Sequence, residues 1–245
     1  MDTRVPTLPP LTSEMPPRMD PPPARRRRRR GWLVVLIAML GALALIASAA
    51  VLNGTALRHD LLPMETFDSG TGSFDVVADD GAGGWAAYRD GAYVVHSGGD
   101  FVGGTASLTR TAYALRLAVD VTIESGTGTV LVSCAGNGEG QLFLVNTDGS
   151  VALMRVLPGG RSSTLAVAQV PALEAGVPHH LLVTFIPPGT GGAGQLEGSI
   201  DGRVTASAVD PGPDFAINEG VLMVAGSPLQ VRFDNVEGGL DEAVS

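Results

Sequence analysis

Several residue types are scarce in this sequence, and each scarcity excludes a class of structure or function. The single cysteine, Cys134, rules out any disulfide bond within the chain. Lysine is absent, so all 16 basic residues are arginines, and aromatic residues make up only 5% of the chain. After residue 60 no segment repeats apolar residues with the helical period, so a long helix is not expected there.

The longest apolar run extends from Gly31 to Leu52 and directly follows six arginines, Arg25 to Arg30. It carries no charge, and as a helix it would span roughly 33 Å, enough to cross a hydrocarbon core about 30 Å thick. We therefore predict a transmembrane helix over residues 31–53. Ala47-Ser48-Ala49 has the form of a signal-peptidase site, so cleavage after Ala49 is the alternative.

The charges on either side of this run predict its orientation. Arginines beside a spanning helix stay on the cytoplasmic side, so Arg25–Arg30 predict a cytoplasmic N-terminus and contact with membrane lipid. The pair Arg29-Arg30 also resembles the core of a twin-arginine export signal. Residues 54–245 carry eight arginines against 22 acidic residues, a net charge of −14. Such an acidic, extracytoplasmic part repels nucleic acid, and no nucleic-acid partner is expected.

Composition divides the chain into five parts. Residues 1–30 are rich in proline and arginine and predict a disordered cytoplasmic tail. The transmembrane helix is followed by a connector, a folded domain and a short C-terminal tail, predicted at residues 54–64, 65–237 and 238–245.

Strand patterns fill the predicted domain. From Ala112 to Glu124 apolar residues alternate with mixed ones, which is the period of a strand with one buried face. Asp148-Gly149 and Asp201-Gly202 each lie between two apolar runs and predict hairpin turns. Further strands are predicted at residues 129–134, 141–146, 150–157, 163–170, 179–186, 195–200, 203–208, 220–225 and 229–236. The fold class is therefore all-β, an antiparallel β-sandwich.

Several stretches together resemble the concanavalin A-like lectin/glucanase (laminin-G-like) jelly-roll domains of actinobacterial membrane-anchored extracytoplasmic proteins. The resemblance covers roughly residues 65–237 and implies a ConA-like jelly roll. Its motifs are structural, so it implies the fold more firmly than the function. They are Glu65-Thr66-Phe67-Asp68, Gly84-Trp85, Asp90 to Val95, Leu117 to Glu124, Gln141 to Met154 and Val231 to Val236.

The carboxylates do not predict hydrolysis. Glycosidases place two carboxyl groups about 5 to 9 Å apart around the scissile bond. The glucanase branch of the resembling family carries them as Glu-x-Asp-x-x-Glu on one strand, and this sequence lacks that triplet. Asp120 and Glu124 share one face of a strand, which we interpret as a solvated outer face. No catalytic residue is predicted.

Metal and thiol chemistry are also not predicted. His179 and His180 point to opposite faces of a strand and cannot chelate together, while His59 lies in the connector and His96 stands alone. No cofactor is expected, and Cys134 is interpreted as a buried thiol, with covalent dimerisation as the alternative. Calcium is the remaining metal, because loop oxygens bind it. Candidate oxygens without defined ligand spacing are on Asp79, Asp80, Asp100, Asp148, Asp234 and Asn235.

The aromatics supply the only candidate ligand-binding residues. Sugar-binding surfaces stack aromatic rings on pyranose faces. Trp85 and Tyr88 are the candidates, in a stretch that also contains Tyr93 and Phe101, and packing in the core is the alternative for all four.

Fold analogy then suggests a function. We predict a membrane-anchored, extracytoplasmic, non-catalytic binding or interaction module, with cell-wall glycan or another envelope protein as its partner. One alternative is a glycan-acting enzyme with an unrecognised carboxylate pair, and the other is a structural accessory domain without a ligand.

Overall fold

The structure is a computed structural model, and it describes residues 58–78, 83–188, 193–213 and 215–240. The predicted tail, the predicted transmembrane segment at 31–53 and the calcium candidates Asp79 and Asp80 lie outside these residues. Within them, no helix has the length and hydrophobicity needed to cross a bilayer.

The described residues form twelve strands in an all-β domain, with no helix among them. Most strands are bounded by glycine-containing turns, including the predicted Asp201-Gly202 turn, where both residues have positive φ. The strands are β1 (Arg58–Glu65), β2 (Trp85–Arg89), β3 (Ala92–Ser97), β4 (Val102–Ala112), β5 (Leu115–Gly136), β6 (Glu139–Asn146), β7 (Ser150–Leu157), β8 (Arg161–Gln169), β9 (Pro178–Ile186), β10 (Gly194–Ile200), β11 (Arg203–Asp210) and β12 (Ile217–Leu240).

The two longest strands, β5 and β12, pair with each other from end to end and turn a corner together. Their antiparallel register runs from Ala135 beside Glu219 to Arg116 beside Gly239, with a shift between Gly226 and Leu229. At this corner Gly126 has φ +84, and a Cβ there would overlap the carbonyl oxygen of Pro228. The corner therefore requires a residue without a side chain.

Because β5 and β12 turn, one continuous sheet forms both layers of a sandwich. Sheet A has the order β11-β10-β9-β5-β12-β3-β2, using residues 115–126 of β5 and 229–240 of β12, with β1 paired to the end of β12. Sheet B has the order β4-β12-β5-β6-β7-β8, using the other halves of β5 and β12. All pairings are antiparallel. The predicted antiparallel jelly-roll sandwich is confirmed.

One hydrophobic core fills the space between the sheets. Alternate residues of each strand face inward, such as Val119 and Val121 from sheet A and Val130, Val132 and Phe143 from sheet B. All core side chains of the described residues lie between Leu61 and Val236. Residues 55–245 form a compact unit that contains this whole core, and a compact unit with its own hydrophobic core can in principle fold alone.

The strand boundaries correct several predictions. Residues 58–64, predicted as connector, form β1, because Arg58 pairs with Leu240 and Glu65 with Val236. The same pairing extends the domain into the predicted C-terminal tail. The predicted strands 112–124 and 129–134 are one strand, β5, and 220–225 and 229–236 are both parts of β12. The glycines between these predicted strands do not end them; they lie at the corner that β5 and β12 turn together.

Candidate functional site

The outer face of sheet A carries the tryptophan candidate. Trp85 lies beside His96 on β3, and His96 lies beside Gln230 on β12. The rings of Trp85 and His96 stack with centroids 5.8 Å apart and planes 20° apart. The guanidinium carbon of Arg89 lies 3.8 Å from the centroid of a Trp85 ring, a cation–π contact. Trp85 therefore belongs to an ordered surface array.

Polar planar groups continue this array toward the middle of sheet A. The Arg232 Nε donates to Glu124 Oε1 at 3.0 Å, and the Gln230 amide donates to the other oxygen of Glu124. Arg232 Nη1 also donates to the carbonyl of Asp90 at 3.0 Å. We call the surface formed by Trp85, Arg89, His96, Gln230, Glu124 and Arg232 the Trp85 face.

Tyr88, the second aromatic candidate, does not belong to the Trp85 face. It follows Trp85 by three positions on one strand, so the two side chains point to opposite faces. Its ring lies 5.5 Å from that of Phe67 and 5.3 Å from that of buried Tyr93, and its hydroxyl donates to the carbonyl of Phe74. Tyr88 is therefore a packing residue, as the alternative interpretation held, and of the two candidates Trp85 alone lies on the outer face.

The Tyr88 hydroxyl makes stability pH-dependent at high pH. Burial raises its pKa to about 12. Because the folded pKa is raised, the neutral hydroxyl stabilises the fold below pH 10, and this stabilisation is lost as pH rises through about 12. We expect urea midpoints of residues 55–245 to fall between pH 10 and pH 12, and to fall less in Tyr88→Phe. Equal losses in both proteins would assign the effect to other groups.

Asp120 and Glu124 lie on one outer face of β5, as their parity predicted. Asp120 Oδ1 lies 2.8 Å from His180 Nδ1, and Asp120 Oδ2 accepts from the Asn235 amide at 2.8 Å. Glu124 accepts from Arg232 and Gln230. Each carboxylate thus has its own hydrogen-bonding partners. They form a partly solvated polar surface.

A second group of carboxylates lies inside the domain, and sequence analysis missed it. Arg155 on β7 donates to Asp210 Oδ2 at 2.6 Å, to Glu139 and to the carbonyl of Pro213 at 2.6 Å. The Gln141 amide also donates to Asp210 Oδ2 at 2.6 Å. Arg155 and Asp210 are fully buried. The sequence did contain a signal for this buried group. Arg155 and Gln141 each lie two positions from a core residue, Leu153 and Phe143, and therefore face the core as well.

The histidines have separate partners. His179 Nδ1 lies 2.9 Å from Asp201 Oδ2, and its Nε2 accepts the Glu174 N–H at 3.3 Å. His180 contacts Asp120, on the other face of the strand. In the described part of the chain, no group of three or more His, Cys, Asp or Glu side chains is arranged to hold a metal ion.

Three of the described calcium candidates, Asp148, Asp234 and Asn235, make local hydrogen bonds, whereas Asp100 contributes only its backbone oxygen to a bond, from the Ser97 hydroxyl. Asp148 Oδ1 accepts from the backbone and hydroxyl of Ser150, and these hydrogen bonds lower the pKa of Asp148. Asp234 Oδ1 accepts the Asn235 N–H at 2.8 Å, and the Asn235 amide donates to Asp120. These oxygens close turns and strand ends, and they do not converge on one point.

Two cavities lie at the end of the sandwich where β5 and β12 turn their corner. The larger, about 570 Å³, has an apolar wall that includes Leu173, Ile200 and Val204, with His179 and Asp201 beside it. The smaller, about 390 Å³, is lined by corner residues 126–128, by the 146–148 turn and by Leu173. The segment 170–177 lies between the two cavities, and the sequence analysis predicted no site there.

Cys134 is a free, fully buried cysteine on β5. Burial raises the pKa of its thiol well above the usual range. The interpretation as a buried thiol is confirmed, and a sulfur enclosed in the core cannot reach a second copy of the folded chain.

Comparisons with known proteins show which solved structures are similar to this one. No protein-family model matches the sequence, and no curated protein matches it. The structure is similar to the carbohydrate-binding module CBM66 from Bacillus subtilis, with a TM-score of 0.51 and 17% identity over 69% of this chain and 96% of that one.

Two further solved structures agree. The carbohydrate recognition domain of Emp46p, in a potassium-bound form, has a TM-score of 0.51 and 12% identity, covering 75% of this chain and 98% of that one. The β-glucanase of Bacillus licheniformis has a TM-score of 0.51 and 9% identity, covering 72% of this chain and 97% of that one. These similarities confirm the fold that the sequence motifs implied, and the domain has the concanavalin A-like lectin/glucanase jelly-roll fold.

Proposed function

We propose that the chain is a membrane-anchored, extracytoplasmic, non-catalytic module that binds glycan of the cell envelope through the Trp85 face. The anchor and the compartment rest on the apolar run 31–52 and the arginines before it. The ligand class rests on the fold, which is shared with a carbohydrate-binding module and a carbohydrate recognition domain.

The Trp85 face is the observation that carries this proposal. Sugar recognition combines an apolar ring that packs on a pyranose face with polar groups that bind its hydroxyls. Trp85 supplies the ring, and Gln230, Glu124 and Arg232 supply planar donors and acceptors on the neighbouring strand positions. A sugar ring would replace Arg89 or His96 or extend over the edge of Trp85, since the Arg89 guanidinium lies over the ring and His96 stacks with it.

The arrangement of the carboxylates supports binding over hydrolysis. A glycosidase acid must hold a proton at the scissile oxygen, and its partner must reach the anomeric carbon. Glu124 and Asp120 are instead each shared between two donors, and Glu139 and Asp210 are both bound to Arg155 inside the domain. Each of the two cavities has a single carboxylate in its lining, Asp201 in the larger and Asp148 in the smaller.

Glycan arrays and peptidoglycan pull-downs with residues 55–245 test the proposal. We expect saturable binding that Trp85→Ala weakens at least tenfold, because loss of one stacked, buried aromatic removes about 1.5–3 kcal/mol. Tyr113→Ala is the matched control, since Tyr113 is an exposed aromatic at the β4–β5 connection with 71% exposure. Measuring the binding with calcium and again with chelator tests whether it depends on calcium.

Each outcome discriminates between functions. Absence of glycan binding would reject the proposal in favour of a protein partner or a structural role. Binding that Trp85→Ala and Tyr113→Ala weaken equally would reject the Trp85 face as its location. Release of reducing sugar from a bound glycan would reject the non-catalytic assignment.

A further inference from the structure

The larger of the two cavities lies between the segment 169–173 and the hairpin of β10 and β11. Backbone hydrogen bonds hold this segment in place. The Val170 N–H donates to the Gly149 carbonyl at 2.9 Å, and the Leu173 N–H donates to the Thr147 carbonyl at 3.1 Å. One wall of the cavity is therefore ordered before any ligand binds. The volume of about 570 Å³ lies within the range of small-molecule sites, roughly 300–1,000 Å³.

A β-bulge shapes the opposite wall of this cavity. The register of β10 and β11 shifts between Gly198 and Ser199, which leaves Thr205 as an extra residue on β11. Bulges re-aim side chains and occur often beside functional sites. Arg203, Val204 and Thr205 all line the cavity, although a regular strand would direct Val204 away from its two neighbours. The bulge thus adds a side chain to the cavity wall.

The lining of the cavity is mainly apolar. Leu173 and Ile200 are 8% and 7% exposed and belong to the hydrophobic core, so part of the core surface is open to the cavity. Val204 is 55% exposed, although its side chain is apolar. A ligand with an apolar body would remove this surface from water, and the hydrophobic effect favours such binding.

Most polar side chains of the lining already have partners. The Asp201 carboxylate accepts the His180 N–H at 2.9 Å and lies 2.9 Å from His179 Nδ1. The Thr205 hydroxyl donates to the Gly198 carbonyl at 2.9 Å. These bonds connect the hairpin to β9 and β11 to β10, so the groups that make them are hydrogen-bonded without a ligand.

Arg203 is the charged residue of the lining that lacks such a partner. Its side chain is exposed, and within the described ranges it forms no hydrogen bond and no ion pair. A guanidinium stays charged and presents N–H donors in a planar fork, which matches the oxygens of an anionic group. The cavity therefore combines an apolar lining with one cation that is available to a ligand.

We propose that this cavity binds a small amphipathic anion, a molecule with an apolar body and a single carboxylate or sulfonate group. The apolar body would pack on Leu173, Ile200 and Val204, and the anionic group would accept hydrogen bonds from Arg203. None of these residues belongs to the Trp85 face, so this site does not depend on glycan binding.

Two fluorescent probes that differ in one group test this inference on residues 55–245, which contain the whole core. Anilinonaphthalene sulfonate has an apolar ring system with a sulfonate, and phenylnaphthylamine has the same rings without it. We expect saturable binding of one sulfonate probe per chain. Arg203→Gln should weaken the sulfonate probe about tenfold, because it removes a charge-assisted hydrogen bond, and should leave the affinity of the uncharged probe unchanged.

Arg161→Gln is the matched control for this loss of charge. Arg161 is also exposed, and it begins β8, whereas Gln169, which lines the cavity, ends that strand. This variant should leave the affinities of both probes unchanged. Val204→Trp places a large side chain in the cavity from an exposed position, and it should weaken both probes.

Three results would overturn the inference. The first is the absence of saturable binding of the sulfonate probe. The second is an equal loss in Arg203→Gln and Arg161→Gln, or an equal loss of both probes in Arg203→Gln, since Arg203 would then not recognise the anionic group. The third is binding that Val204→Trp leaves unchanged, because the probe would then lie outside this cavity.

Discussion

Replacing Arg155 by methionine is expected to destabilise the domain by about 3–5 kcal/mol, because removing one partner of a buried ion pair leaves the other charge uncompensated. The Arg155 guanidinium contacts both Asp210 and Glu139, and the side chains of Arg155 and Asp210 are 1% and 0% exposed. Methionine has a similar shape, so the loss would reflect charge and hydrogen bonds more than volume.

The position of Arg155 explains why the loss is large. Its guanidinium also donates to the carbonyl of Pro213 and lies 4.6 Å from the ring of Phe215. The arginine therefore attaches the segment before β12 to β7, between the two sheets. Without it, Asp210 would keep only the Gln141 amide and the Gly212 N–H as donors.

Urea denaturation of residues 55–245 measures this effect. Arg203→Met is the matched control, since exposed Arg203 forms no ion pair within the described ranges, and its loss should stay within about 0.5 kcal/mol. Adding Asp210→Asn and Glu139→Gln to Arg155→Met should recover part of the stability by removing the unpaired charges. A loss below about 1 kcal/mol, or no recovery, would contradict the buried-charge argument.

Much of the fold could be predicted because each strand carries its own signal. The alternation from Leu115 to Ile123 and the Asp-Gly turns at 148–149 and 201–202 are local patterns, and local patterns are what a single sequence displays. The sandwich follows, since many short antiparallel strands with one apolar face have few other ways to bury it.

The corner of β5 and β12 could not be predicted in this way. Glycines at 126, 128 and 226 look like loop residues, and whether they end a strand or bend it depends on a partner 100 residues away. The same holds for β1, whose polar start, Arg58-His59-Asp60, has no strand pattern and becomes a strand only by pairing with the end of β12.

The candidate site was predicted only in part. Trp85 was selected as an aromatic in a sparse background, and it lies on an outer face. Tyr88 was selected for the same reason but packs on Phe67, because a separation of three residues reverses its direction. The outward direction of Leu142, Leu144 and Met154 carried no signal either, since all three fit the pattern of core strands and only the strand pairing shows that they share one face.

Phe143→Ala is expected to destabilise the domain by about 3–5 kcal/mol, the range for a large aromatic removed from a packed core. Phe143 is fully buried on β6 and faces Gly198 on β10, where a Cβ would overlap its ring. Gly198 thus allows the two sheets to approach at this ring. By itself Gly198→Ala should destabilise by about 1–3 kcal/mol through overpacking.

A double-mutant cycle tests whether this contact joins the sheets. In Phe143→Ala/Gly198→Ala the new methyl group enters the space that the ring vacates, so the combined loss should be smaller than the sum by about 0.5–3 kcal/mol. Gly220→Ala is the matched control, because its Cβ would meet Leu117 at 3.9 Å and Leu62 at 4.0 Å, which are ordinary contacts. It should change stability by less than about 1 kcal/mol. Additive losses at Phe143 and Gly198 would mean that β6 and β10 do not pack against each other, and the two-layer arrangement would then be wrong at this point.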